Sequence, residues 1–246
     1  MKKLIFILMA CIILPGFLHG QMHLFLEEQE VNLEDATSSA WVFPIPRNLD
    51  EALDDLKDYC KDRSDLKMKK GGDNMIIAEK VSVPYIATKR GDMIGYCYIT
   101  EQYYAMALVF QLGYDISLNS KEYKNEMMNF RNYAKEFMSY HYEQSYARKI
   151  ENLEKELKDV EKDRKQNENK IQNLTDKVNN LGKKIGKEED TAKIQEYEAE
   201  INTLESDMQV LMDTLPGLES EISRLRKEIS DLKTESNNYN GAIASL

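Results

Sequence analysis

From residue 150 onward, apolar side chains return every three to four positions with polar residues between them. Ile150, Leu157, Ile171, Val178 and Ile185 hold one heptad position, and Leu153, Val160, Leu174 and Leu181 hold the other; Arg164 and Asn167 interrupt this seam. A second run sets Ile194, Ile201, Met208, Leu215, Ile222 and Ile229 against Tyr197, Leu204, Leu211, Leu218, Leu225 and Leu232. Sustained 3.5-residue spacing of this kind predicts a coiled coil over residues 144–236. Between the runs the register slips by two residues across Gly182, Gly186 and the charged stretch 187–190, which places a reversal of direction near 182–191. Each run spans roughly 55 Å by helical rise, so an antiparallel hairpin returns the chain to where it left. A straight parallel oligomer would carry both glycines inside a helix at about 1 kcal/mol each relative to Ala, which favours the intramolecular hairpin. Pro216-Gly217 leaves the second register intact and reads as a kink. A hinge near 188 would set Arg164 and Asn167 opposite residues 208–212, and residues 237–246 read as a flexible tail.

Ahead of about residue 145 the pattern changes, and aromatic and β-branched residues replace the Glu, Lys, Asp and Asn of the later half. A domain boundary is therefore expected there. Residues 23–31 and 39–43 read as strands, the second stopped by Pro44 and Pro46. Asn48, followed three residues later by Glu51, forms a capping box, and Leu49, Leu53, Leu56 and Cys60 recur behind it at helical spacing. The polar run 69–74, with Gly71-Gly72, reads as a turn, and strands follow at 75–85, 93–100 and 103–112. The last of these sets Tyr104, Met106, Leu108 and Phe110 on one face and Tyr103, Ala105, Ala107 and Val109 on the other. Large against small predicts one face toward a helix layer and one that is tighter or more exposed. Asn119 with Glu122 offers a second capping box, ahead of a helix striped by Tyr123, Met127, Phe130, Ala134 and Phe137. The order strands, helix, strands, helix predicts an α+β fold over residues 21–143. Its small, mostly antiparallel sheet carries two helices, the second running into the long antiparallel helical-hairpin coiled coil.

The first twenty residues stand apart. Met1-Lys2-Lys3 is a short basic segment, residues 4–14 are apolar, and Pro15-Gly16 breaks the run ahead of Gly20 and Gln21. This is the layout of a secretory signal peptide over residues 1–20, with cleavage after Gly20. The apolar run is shorter than the roughly twenty residues that span a bilayer. Lipid anchoring at Cys11, where Leu8-Met9-Ala10-Cys11 loosely resembles a lipobox, is the minor alternative. The expected location is exported, periplasmic or secreted, with no transmembrane span in the mature chain. Cys60 and Cys97 then remain in an oxidising compartment, where they either pair in one disulfide or sit as two buried thiols.

Charge excludes one class of partner. Thirty-three Lys and Arg against 43 Asp and Glu leave a net charge of −10, which disfavours binding along a nucleic-acid backbone. Beyond the signal, the histidines are His23 and His141, without the neighbours a metal site needs, and His141 continues the stripe of Phe130, Ala134 and Phe137. No Cys-x-x-Cys pair, nucleophile elbow or phosphate-cradling glycine loop is present, so no catalytic residue, cofactor or metal is expected. Arg90-Gly91-Asp92 spells the tripeptide read by animal cell-adhesion receptors, at an expected hairpin turn. Tyr133, Tyr140, Tyr142 and Tyr146 form either a binding face or the packing at the root of a helix. Asp190-Thr191-Ala192 and Asp213-Thr214-Leu215 match a short O-glycosylation acceptor pattern, with helix capping as the plainer reading.

With Leu18-His19-Gly20-Gln21, the strand 105–112 and an unbroken helical sequence from Lys121 onward, the chain resembles a group of uncharacterised exported Bacteroidota proteins. They share a short signal, a small α/β domain and a helix continuing into a coiled coil. The resemblance implies location and architecture and no activity. The expected function is a non-enzymatic envelope scaffold or protein–protein interaction module, binding a protein partner or itself through the coiled coil. The alternative is a small peptide-, glycan- or lipid-binding domain with the coiled coil as spacer.

Overall fold

The computed structural model describes residues 24–33, 36–46, 48–113 and 116–246; the expected signal segment, Cys11 and His23 lie outside them. Strands β1 (Glu27–Leu33), β2 (Ala36–Ile45), β3 (Lys69–Gly72), β4 (Met75–Val81), β5 (Gly91–Ile99), β6 (Tyr104–Gly113) and β7 (Ile116–Ser117) form one sheet. Its order is β1-β2-β6-β5-β4-β3, with β7 pairing the far end of β6. Every pairing is antiparallel. Helices α1 (Leu49–Ser64), α2 (Lys124–Ile185) and α3 (Thr191–Ser245) complete the fold. The α+β class expected from the strand and helix order is the one observed, and no helix among the described residues is long and apolar enough to cross a membrane.

The alternation along β6 sorts the layers. Met106, Leu108 and Phe110 join the core beneath α1 and α2, while Ala105, Ala107 and Val109 belong to a second cluster on the opposite face. Trp41 and Phe43 of β2 do the same on the helix side, and Trp41 Nε1 donates to the Met127 carbonyl of α2 at 3.1 Å. Gly95 keeps α1 close to β5, because a Cβ there would lie 2.2 Å from Leu56 Cδ2. Asn48 caps α1 as its sequence predicts, its Oδ1 accepting from the Glu51 backbone N–H at 3.2 Å.

Four local expectations are corrected. Pro44 does not stop the second strand but lies within β2, in register with Ala105 of β6. Residues 69–74 are not all turn: β3 pairs with β4, and the turn narrows to Asp73 and Asn74, with Asn74 in the left-handed region at φ 54°. Asn119 does accept from the Lys121 and Glu122 backbone N–H groups, yet α2 begins later at Lys124, so Asn119 caps the turn before the helix. The strand expected over 75–85 stops at Val81, because Lys80 (φ 52°) bulges out of register and Pro84 follows.

The largest correction is at the other end. Residues 237–246, expected as a flexible tail, continue α3 to Ser245 and dock on the globular part. Ile243 is buried in the main core, and Tyr239 and Leu246 pack against it. Lys135 Nζ donates to the Ala244 carbonyl at 2.8 Å, and Arg131 donates to the Leu246 carbonyl. The contacts of this end fall on α2, where Tyr239 lies against Tyr142 and Tyr146 and Asn240 donates to Glu143.

Candidate interaction arm

α2 is a single helix of 62 residues that leaves the sheet without a break, so the boundary expected at 143/144 falls inside continuous helix. Its sequence contains no Pro and only Gly182 among glycines, so nothing interrupts the hydrogen-bond ladder. Met127, Phe130, Phe137 and Tyr142 are buried in the domain core, and from about residue 150 the same helix projects outward. Gly186 ends it, and Asp190 caps α3 by accepting from the Ala192 backbone N–H at 2.9 Å. The side-chain links between α2 and α3 step down one helix as they step up the other: Glu143 with Asn240, Glu154 with Lys233, Glu161 with Arg226, Asn167 with Thr214, Thr175 with Met208. The two helices therefore run side by side in opposite directions, and their far end lies about 60 Å from the domain by helical rise.

The positions expected to form the seam differ in burial. Leu181, Ile222, Leu225 and Ile229 are buried. Ile150, Leu153, Leu157, Val160, Ile171, Leu174, Val178, Ile201, Leu204, Leu211, Leu218 and Leu232 are half-buried, and most residues between them are exposed. Arg164 and Asn167 do not meet residues 208–212. Asn167 Nδ2 donates to Thr214 Oγ1 at 3.0 Å, and Arg164 pairs with Glu168 of its own helix at 3.3 Å. The link between the helices spans residues 186–190, and Asn167 faces further along α3 than a symmetric turn about 188 would set it. Pro216 stands inside α3 with the helix continuing on both sides.

A buried polar cluster fastens the root. Arg148 of α2 forks onto Asp55 of α1, Nη1 to Oδ1 and Nη2 to Oδ2, both at 2.8 Å. His141 Nδ1 lies 2.6 Å from the same Oδ2, and Glu51 adds a longer contact to Arg148 at 3.3 Å. Asp55 and His141 are both buried. Burial opposes the charge on Asp55, but hydrogen bonds from Arg148 and His141 outweigh it and hold the carboxyl below its usual range. Asp55 and His141 make a buried carboxylate–imidazole pair, and His141 Nε2 has no hydrogen-bond partner among the described residues. What the cluster does is couple α1 to the first turn of the arm. Sequence reading placed His141 correctly in the packed junction; Asp55 and Arg148 carried no signal, since contact across a sheet domain leaves no spacing.

The remaining candidates resolve into structure. Cys60 and Cys97 are free and buried; Cys60 Sγ hydrogen-bonds with Tyr133 OH at 3.1 Å, and burial pushes the two thiols up to about 11 and about 12. Tyr133, Tyr142 and Tyr146 are buried and Tyr140 half-buried, so the cluster packs the root instead of forming a face. In Arg90-Gly91-Asp92, Gly91 is buried at the start of β5 and Asp92 accepts from the Lys80 backbone N–H at 2.6 Å. Thr214 is engaged by Asn167 and by its own helix, and Asp190 is the helix cap. A groove of about 720 Å³ lies between α1 and the β3–β4 hairpin, with Leu53, Met75 and Ile76 inside and Asp50, Lys70 and Asp73 at its edges.

This geometry defines an α+β domain braced to a projecting helix pair. Compared with family models, curated proteins and solved structures, the chain matches none.

Proposed function

We propose that this protein is a non-enzymatic exported scaffold that engages a partner through an antiparallel coiled-coil arm. The observation that carries the reading is α2 itself, one helix running from the domain core to the far end of the arm. A spacer must be stiff where it joins its base. Here both helices meet the domain, α2 through Asp55, His141 and Arg148, and α3 through Tyr239, Ile243 and Leu246. The seam is filled within one chain, so a partner docks on the outer surface, where Val210 and Met212 are exposed on either side of Leu211. Export rests on the signal-like residues 1–20 and the resemblance to exported proteins.

Deleting residues 164–177 together with 205–218 removes two facing heptads from each helix and keeps root and tip in register. The shortened arm loses about 21 Å by helical rise. We expect the circular-dichroism spectrum to stay helical and the partner recovered by cross-linking in the cell envelope to be lost. Recovery of the same partner by the shortened chain overturns the reading. The groove between α1 and the β3–β4 hairpin favours a second reading, a small peptide- or glycan-binding domain with the arm as spacer. Substituting Asp50 and Asp73 would then abolish partner recovery and arm shortening would not.

A further inference from the structure

Near the domain the two helices of the arm are joined by ion pairs, and toward the tip they are not. Glu154 pairs with Lys233, Glu156 with Arg224 and Glu161 with Arg226. Further out the links are Asn167 with Thr214, Thr175 with Met208, and Lys184 over the Tyr197 ring. The sequence there is divided by sign. α2 carries seven Lys or Arg against three Asp or Glu over 162–184, and α3 carries eight Asp or Glu and no Lys or Arg over 194–223. Lys170, Lys177, Glu200 and Asp207 are exposed, and none has an ion-pair partner among the described residues. Lys170, Asn173 and Lys177 of α2 and Asp207 of α3 border one groove of about 470 Å³, to which Leu174, Val210 and Leu211 add the apolar part. Glu200 precedes Asp207 by one heptad and so stands on the same side of α3. Val210 is 63% exposed, although it adjoins the seam residue Leu211. Leu181 is buried, but Ile171, Leu174, Ile201, Leu204 and Leu211 are only half-buried, so one helix pair leaves this part of the seam incompletely covered.

We infer that the partner of this arm is a second copy of the chain, packed groove to groove as a four-helix bundle. This names the partner left open by the proposed function and rests on that reading. Charge carries the choice of occupant. One arm bears both signs, one on each helix, so an identical arm supplies both complements. A two-fold axis along the arm sets α2 of each copy against α3 of the other, basic against acidic. An axis across the arm would set α2 on α2 and α3 on α3, like on like, which opposes association. The favoured arrangement points both arms the same way and makes every neighbouring pair of helices antiparallel. That is the up-down geometry of four-helix bundles, whose helices cross at about 20°. Lys170 and Lys177 of each copy then face Glu200 and Asp207 of the other at the rim. Val210 and the half-covered seam close at the centre, the apolar middle and polar margin of a protein interface. The groove stands roughly 36 Å beyond residue 150 by helical rise, so the arms meet well out from the domains.

The test is the mass of the purified chain by sedimentation across micromolar concentrations, with its first residue read by mass spectrometry. Twice the single-chain mass is expected. K170E with K177E makes this face acidic on both helices, and E200K with D207K makes it basic on both. Each variant should run as a monomer with an unchanged circular-dichroism spectrum. An equal mixture of the two should return to the double mass, because each supplies the charge the other lacks. Should either variant fail to fold, amine labelling of the wild-type chain replaces the mixture. Lys170 and Lys177 are then expected to be protected at high concentration and labelled on dilution. A monomer at every concentration overturns the inference, as does a double mass that either variant keeps, or a pair of variants that stay apart when mixed. A chain that is monomeric when pure and cross-links through its arm to an unlike protein in the cell envelope overturns it too, and leaves the arm as a docking element. The wider reading fails separately, if the shortened arm recovers its partner unchanged.

Discussion

Asp55 has the largest individual role that can be assigned. It is the only carboxylate among the described residues that is buried, and it accepts from both Arg148 and His141. Removing one partner from a buried ion pair leaves the other uncompensated, which typically costs about 3–5 kcal/mol, and the partial exposure of Arg148 lowers that to roughly 2–4 kcal/mol here. D55A is therefore expected to shift the urea midpoint strongly, whereas D54A, on the exposed side of the same helix, should scarcely move it. The pH dependence has a fixed sign. Because the folded carboxyl is held below its usual range, its contribution is fully present above the unfolded value of about 3.9. It is lost as pH falls through the lower folded value. Urea midpoints between about pH 2 and 6 should fall less steeply in D55A than in the parent chain, with Glu28, also held low, retaining part of the slope. None of this was legible in sequence. Asp55 looks like any surface carboxylate of a charged helix, and only the return of α2 across α1 buries it.

In the arm, the heptad spacing in the sequence and the burial of Leu181, Ile222, Leu225 and Ile229 concern the same positions. Leu225 is fully buried, so L225K places a charge in the closed part of the helix pair and should cost on the order of 3 kcal/mol, read from thermal melts by circular dichroism. L204K, at a half-buried position nearer the tip, should cost less. Pro216 is the weak point of α3. Its ring removes the N–H that would reach the Met212 carbonyl, and a proline inside a helix costs about 3 kcal/mol. P216A is expected to raise the melting temperature, and no change would mean that the local backbone has already adapted around the ring. The ion pairs linking Glu154 to Lys233 and Glu161 to Arg226 are exposed and set register more than stability.

At the level of the entire chain, domain and arm are expected to unfold together, because Ile243 lies in the domain core and α2 belongs to both. A chain ending after residue 236 should lose about 2–4 kcal/mol, since Ile243 and the half-buried Tyr239 and Leu246 no longer cover α2. Calorimetry should show a single transition moved downward; an unchanged transition would mean that the docked end contributes nothing. Periodicity made the strands of β5 and β6, the central part of β2 and the capped start of α1 readable in advance. Spacing along one element follows from helical or pleated geometry, and a local pattern is enough to reveal it. Docking of residues 237–246, the meeting of Asp55, His141 and Arg148, the facing of Asn167 with Thr214, and β3 at the sheet edge were not readable. Each depends on where two distant segments come to rest, and that is set by the packing of the whole core.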